Sequence, residues 1–72
     1  MPMPDIALRG DHITLDALLK ASGLADSGGA AKSLIADGAV LVNGQVETRR
    51  GRKLRAGDEV TLSGERVRVV AP

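Results

Sequence analysis

The sequence predicts an α+β fold in which two short helices pack on a small, mainly antiparallel sheet. Two apolar stripes with helical spacing lie within residues 15–38, and alternating aliphatic residues separated by turn signals fill residues 40–70. Helices followed by strands joined through tight turns are typical of α+β domains. The 72 residues suffice for one domain, so we predict a single domain over 1–72 with a flexible tail at 1–4.

Both helices are predicted from their apolar spacing and their end signals. Thr14 is expected to cap the first helix, over 15–22, with a glycine at its end. Asp26 or Ser27 is expected to cap the second helix, which ends at Gly38. The apolar stripes are Leu15, Leu18 and Leu19, then Ala31, Leu34 and Ile35. Isolated helices this short are marginal in water, so they must pack on the sheet.

The strands are predicted from alternation and from turn signals. Asn43-Gly44 is a strong signal for a two-residue hairpin, because both turn positions favour positive φ. Further turns are predicted at 56–58 and 63–64. The strands are expected, in order, at 6–8, 40–43, 45–47, 60–62 and 67–70.

The composition argues against an enzyme. The chain has no cysteine and one histidine, His12, so neither a thiolate metal site nor a histidine cluster is available. No serine lies in a recognisable motif with a base. We expect no cofactor and no small-molecule substrate. The sequence has neither a signal peptide nor an apolar run of membrane-spanning length, so we expect a cytoplasmic monomer with no membrane partner.

Positive charge is concentrated in one segment, although the net charge is only +1. Residues 1–48 carry three basic and six acidic residues, and residues 56–72 carry two and three. Residues 49–55, which we call the basic run, contain five cations and no acid: Arg49, Arg50, Arg52, Lys53 and Arg55. Arginine forks match phosphate oxygens, so the run favours nucleic-acid binding over the alternatives of a solvated loop or a localisation patch. We expect Arg49 and Arg52 to be exposed, so that replacing both by glutamate abolishes nucleic-acid binding and leaves the fold intact.

The start of the second helix is a second candidate site. Gly28 and Gly29 follow Ser27, and two glycines in a first helical turn are unfavourable for helix stability. They either expose bare N–H groups to an anion, with Lys32 one turn further on, or allow the two helices to pack closely. The sequence does not decide between these readings.

Aromatic residues are absent, which bears on the kind of nucleic acid. Single strands are usually bound by stacking bases on aromatic rings. Without such rings, recognition has to use shape and phosphates, as in structured RNA.

Three motifs lie between residues 13 and 62: Leu15-x-x-Leu18-Leu19, Ala31-Lys32-x-Leu34-Ile35-x-x-Gly38-x-Val40-x-Val42-Asn43-Gly44 and Gly57-Asp58-x-Val60. In these motifs the stretch resembles the alpha-L RNA-binding motif, the domain of small-subunit ribosomal protein four, over about fifty residues. The Ser27-Gly28-Gly29 start and the Arg49-Arg50-Gly51-Arg52-Lys53-Leu54 run look like one branch, the short stand-alone bacterial proteins of the YbcJ and YaaA type.

This resemblance implies that the two helices and the adjoining hairpin form an L-shaped surface that binds structured RNA, often ribosomal RNA. The leading functional prediction is a binder of structured ribosomal RNA that acts in ribosome assembly. Many members have arginine after the helix-two serine, where this chain has Gly28. The hairpin at 42–44 is expected to place the basic run beside the second helix. By position, the resemblance implies RNA contacts from Ser27, Gly28 and Lys32 beside the basic run. We predict Gly29 and Asn43 as further RNA-binding residues. A protein-interaction module and a duplex-DNA binder remain the alternatives.

Overall fold

The computed structural model describes residues 5–72, and the tail predicted at 1–4 lies outside the described residues. Within this range two helices and seven strands form an α+β domain, as predicted. The elements are β1 Asp5–Ala7, β2 Ile13–Thr14, α1 Leu15–Ala21, α2 Gly28–Ala36, β3 Val40–Val42, β4 Gln45–Val46, β5 Lys53–Leu54, β6 Glu59–Leu62 and β7 Glu65–Val70.

Five strands form one sheet in the order β1-β7-β6-β3-β4. β1 runs parallel to β7, while the other three pairings in this sheet are antiparallel. A separate two-stranded antiparallel ladder joins β2 to β5. The mainly antiparallel sheet is therefore confirmed, with one parallel edge strand.

Two hairpin turns set the register of the sheet. Asn43 and Gly44 have φ values of 51° and 84°, and Ser63 and Gly64 have 52° and 81°. Positive φ at both central positions is the type I′ geometry, which matches the twist of the flanking strands. The turns predicted at these two places are therefore confirmed, and they join β3 to β4 and β6 to β7.

The core is aliphatic and lies between the helices and one face of the large sheet. Alternate strand residues are buried, and each helix contributes its apolar stripe. Leu34 differs from the predicted stripe, because it is only partly buried against the core. The buried core residues are Leu8, Leu15, Leu18, Leu19, Ala25, Ala31, Ile35, Val40, Val42, Leu54, Val60, Leu62, Val67 and Val69.

Two strands were not predicted, β2 and β5. Each has two residues, which is too short for alternation to show in the sequence. Ile13 pairs with Leu54 and Thr14 pairs with Lys53. This ladder brings the middle of the basic run against the residues that precede α1.

Candidate functional site

The basic run forms a turn and then a strand. The N–H of Arg52 donates to the carbonyl oxygen of Arg49 at 3.2 Å, which closes a turn over residues 49–52 that we call the basic turn. The run then continues into β5, where the side chain of Leu54 is completely buried. The cations therefore lie on a segment that the fold already fixes. When a ligand binds, fewer side chains and less backbone have to become ordered than in a flexible loop.

The basic turn is fastened to the start of α1 by its own carbonyl groups. The N–H of Leu15 donates to the carbonyl oxygen of Arg52 at 2.9 Å, and that of Asp16 donates to Arg50 at 3.1 Å. Thr14 occupies the cap position, but its side chain makes no capping hydrogen bond. Since the first N–H groups of a helix need partners, the basic turn supplies what the threonine hydroxyl was predicted to supply.

A buried acid holds two of the arginines. The side chain of Glu47 is 10% exposed and lies 2.8 Å from Arg52 Nη1. It also accepts hydrogen bonds from Nε and Nη2 of Arg49, at 3.2 and 3.3 Å, and from the Arg49 backbone N–H at 3.2 Å. The bonds from Arg49 and then Arg52 lower the pKa of Glu47 to about 2. Glu47 is therefore a carboxylate at neutral pH.

The contact with Glu47 corrects the predicted exposure of Arg52. Its side chain is 35% exposed, whereas that of Arg49 is 75% exposed. The expectation that both are exposed holds for Arg49 and is wrong for Arg52. Glutamate at both positions would bring three carboxylates together, so that pair of substitutions no longer separates binding from folding. Sequence reasoning missed Glu47, although an acid next to the run was the available signal.

The remaining cations of the run are more open. Arg50 and Lys53 are exposed, and within residues 5–72 neither forms a salt bridge. Arg55 donates to the carbonyl oxygen of Asp11 at 3.3 Å and lies 3.8 Å from its carboxylate. Arg50 and Lys53 are therefore the cations of this run with the most freedom to contact a phosphate.

The start of α2 is capped and sterically open. Ser27 accepts a hydrogen bond from the N–H of Ala30 at 3.1 Å, which selects it over Asp26 as the cap. A Cβ placed on Gly28 would meet nothing within 4 Å, and one on Gly29 would meet only the Ser27 hydroxyl oxygen, at 3.9 Å. Close helix packing therefore does not explain the glycines. Lys32, the next cation along α2, is exposed.

Helix α1 lies between the two parts of the site. An open groove is lined by one face of α1 and by the first residue of α2; its residues are Thr14, Asp16, Ala17, Lys20, Ala21 and Gly28. Asp16, whose N–H bonds to Arg50, is thus in the same groove as Gly28. The basic turn is bonded to the first residues of α1, and the first residue of α2 lines a groove along the same helix, so both elements adjoin α1.

The hairpin at 42–44 was expected to place the basic run beside the start of the second helix. In the structure this hairpin lies at the other end of that helix. A Cβ on Gly38, just past the end of α2, would lie 3.6 Å from Cγ1 of Val46 in β4. The β3–β4 hairpin therefore sits by the end of α2, and α1 connects the basic turn to the start of α2.

Asn43, predicted to bind RNA, uses its side chain within the fold. Its Nδ2 donates to Asp58 at 3.0 Å, and its Oδ1 accepts from the N–H of Glu59 at 3.0 Å. Partial burial favours the neutral form of Asp58, but hydrogen bonds from the Arg55 N–H and from Asn43 outweigh it and lower the pKa of that carboxyl. Because both polar atoms of the Asn43 amide are engaged, we leave Asn43 out of the surface proposed below.

Other polar groups form no second centre in the described part of the chain. His12 Nδ1 lies 2.7 Å from the Asp11 carboxylate, in an exposed pair. Among residues 5–72, no three His, Cys, Asp or Glu side chains are placed to hold a metal ion. Neither of the two helices in this range has the length and apolar character needed to cross a bilayer.

Comparison with known proteins gives consistent matches. The S4 domain model matches residues 6–70. YbcJ of Escherichia coli (strain K12), named provisionally as an RNA-binding protein, is 48% identical over 60 residues, which are 83% of this chain and 86% of YbcJ. RlbA of Bacillus subtilis (strain 168), named provisionally for ribosome maturation, is 42% identical over 59 residues, which are 82% of this chain and 83% of RlbA.

A solved structure agrees with these sequence matches. The solution structure of E. coli YbcJ, described as revealing an AlfaL motif involved in RNA binding, has a TM-score of 0.76 and 43% identity to this chain. The match covers 99% of this chain and 91% of that one. Two helices on a small, mainly antiparallel sheet, with a cationic turn at the start of the first helix, thus define a protein of the alpha-L class. The chain belongs to the S4 domain family, and the predicted resemblance is confirmed.

Proposed function

We propose that this chain binds structured RNA and catalyses no reaction. The observation that carries the proposal is the fastening of the basic turn to α1, whose groove also contains the first residue of α2. This fastening supports the proposal that the basic turn and the start of α2 contact phosphates at a fixed spacing. The proposed surface consists of Ser27, Gly28, Gly29 and Lys32 together with Arg49, Arg50, Arg52, Lys53 and Arg55.

The kind of RNA follows from the same features. A surface without aromatic rings, on a rigid scaffold, suits folded RNA whose phosphates already have a fixed arrangement. The names of YbcJ and RlbA support RNA as the ligand, and the name of RlbA supports ribosomal RNA and a step in ribosome assembly. We propose this ligand and role, in the cytoplasm and as a monomer.

Binding should depend strongly on salt. The surface has six cations, of which Glu47 and Asp11 offset two, so it acts as about four net charges. The logarithm of the binding constant should then fall against the logarithm of salt concentration with a slope of about −3 to −4. Fluorescence anisotropy of a labelled hairpin RNA at several salt concentrations measures this slope, with duplex DNA and single-stranded RNA as competitors.

The competitors and the slope give separate outcomes. A slope near zero would contradict binding through phosphates. Equal competition by duplex DNA would favour the duplex-DNA alternative, and equal competition by single-stranded RNA would contradict a preference for folded RNA. The chain could instead show no affinity for RNA but capture a protein from a lysate. If that capture persisted after ribonuclease treatment, it would favour the protein-interaction alternative.

Gly28→Ala should change stability and binding in opposite directions. The added methyl group has open space, so reducing the freedom of the unfolded chain should raise the free energy of unfolding by about 0.4–1 kcal/mol. If RNA approaches the backbone here, the same methyl group should weaken binding about tenfold, the value of one charge-assisted hydrogen bond. Urea denaturation and the anisotropy titration measure the two effects.

Gly10→Ala is the matched control, because Gly10 is also in open space and lies outside the proposed surface. It should leave RNA affinity unchanged. Equal affinity for Gly28→Ala and wild type would remove the start of α2 from the RNA surface.

A further inference from the structure

Glu47 is the one buried charged residue among residues 5–72, and it contacts two arginines of the proposed RNA surface, Arg49 and Arg52. An acid in such a place repels phosphates and offsets one of the cations. It also has to be desolvated, which is unfavourable unless the charge is paired. Solvation of a surface charge therefore does not explain an acid at this position.

The contacts of Glu47 supply that reason. Its two oxygens together accept four hydrogen bonds, three from Arg49 and one from Arg52. Glu47 thus holds the first and last residues of the basic turn, and Arg50 lies between them. The side chain of Arg49 contacts Glu47 through Nε and Nη2, yet it is 75% exposed. Nη1 and the open edge of this guanidinium remain available to a second anion.

We propose that Glu47 is a positioning residue for RNA binding, which fixes Arg49, Arg52 and the basic turn so that Arg49 and Arg50 meet adjacent phosphates. This inference rests on the proposed function. Glu47 does not contact RNA itself; it acts through the two arginines. The guanidinium of Arg49 bridges the buried carboxylate on one side and a phosphate on the other.

The expected gain comes from order that exists before binding. Immobilising one long side chain on binding raises the dissociation constant by roughly two- to tenfold. A carboxylate that already holds Arg49 and Arg52 removes much of that loss. Simple electrostatics makes the opposite prediction, because removing an acid raises the positive potential and should tighten RNA binding. The sign of the effect therefore separates positioning from net charge.

The test is the affinity of Glu47→Gln for a hairpin RNA, compared with wild type and with Glu65→Gln. The glutamine keeps the size of the side chain but presents N–H donors to an arginine, so at least one arginine is released. Glu65→Gln makes the same change in net charge. Because Glu65 is exposed and outside the surface, this variant is the control for charge alone. We expect Glu47→Gln to bind about five- to tenfold more weakly, while Glu65→Gln binds equally or slightly more tightly.

A spectroscopic readout and a second variant guard against a merely structural effect. In free wild type, the Arg49 Nε–H resonance should exchange slowly with water, and in Glu47→Gln it should exchange rapidly while the backbone amide spectrum stays folded. Arg49→Lys should weaken binding by a similar factor. Because Glu47 also holds Arg52, the double variant should bind more weakly than either single one, but by less than the product of the two separate factors. This double-mutant cycle applies equally if Glu47→Gln is less stable, since Arg49→Lys tests the same contact at an exposed position.

The outcomes distinguish this inference from the proposed function. Absence of RNA binding by wild type overturns the proposed function and the inference with it. Wild-type binding together with equal or tighter binding by Glu47→Gln, or additive effects in the cycle, overturns the positioning role alone.

Discussion

Replacing Arg50 and Lys53 by glutamate should greatly weaken RNA binding and leave the fold intact. Both side chains are exposed and form no salt bridge within residues 5–72, so reversing their charge breaks no internal contact. Each loses a charge-assisted contact of roughly 1.5–3 kcal/mol, so the pair should weaken binding by about 100-fold or more. Anisotropy titration measures the loss, and circular dichroism and thermal melting check the fold.

Arg9→Glu with Arg66→Glu is the matched control. These residues are also exposed, and the substitution changes the net charge by the same amount outside the proposed surface. This double variant should keep its affinity within about fivefold, since only the long-range field changes. Equal losses in the two double variants would mean that RNA senses the net charge and no particular surface.

Leu54→Ala should destabilise the fold strongly, although Leu54 lies among the cations of the basic run. Its side chain is fully buried in β5 and belongs to the core. Truncating such a leucine costs about 2–5 kcal/mol, against a total of about 4–11 kcal/mol expected for a domain of this length. Urea denaturation followed by circular dichroism should show this loss.

Leu41→Ala provides the comparison, because Leu41 is a leucine of β3 that is only partly buried. It should cost about 1 kcal/mol or less. If Leu54→Ala costs no more than Leu41→Ala, the basic run is a free loop and the β2–β5 ladder is wrong.

Most of the fold could be predicted because its signals are local. The helices follow from apolar spacing, and the type I′ turns follow from dipeptides that tolerate positive φ, such as Asn43-Gly44. The β2–β5 ladder could not be predicted, because two-residue strands carry no period and are defined by their partner. The same holds for the cap of α1, where carbonyls distant in sequence replace the Thr14 hydroxyl.

In the sequence, the candidate site was visible as a concentration of charge and as a pair of glycines at the start of the second helix. Five cations in seven residues are a property of the sequence itself. How those cations are paired depends on the path of the backbone, so the burial of Glu47 and the partial burial of Arg52 required the structure. The open space around Gly28 is likewise a tertiary property. Because of it, close packing of the helices does not explain the glycine at this position.

The central claim is that the basic turn and the start of α2 form one surface across α1. The most direct test is a titration of ¹⁵N-labelled protein with a hairpin RNA, followed by amide chemical shifts. We expect the amides of Gly28, Lys32, Arg50 and Lys53 to shift together and to give one dissociation constant. Shifts confined to the basic run, or centred on Arg66 on the sheet, would contradict the claim.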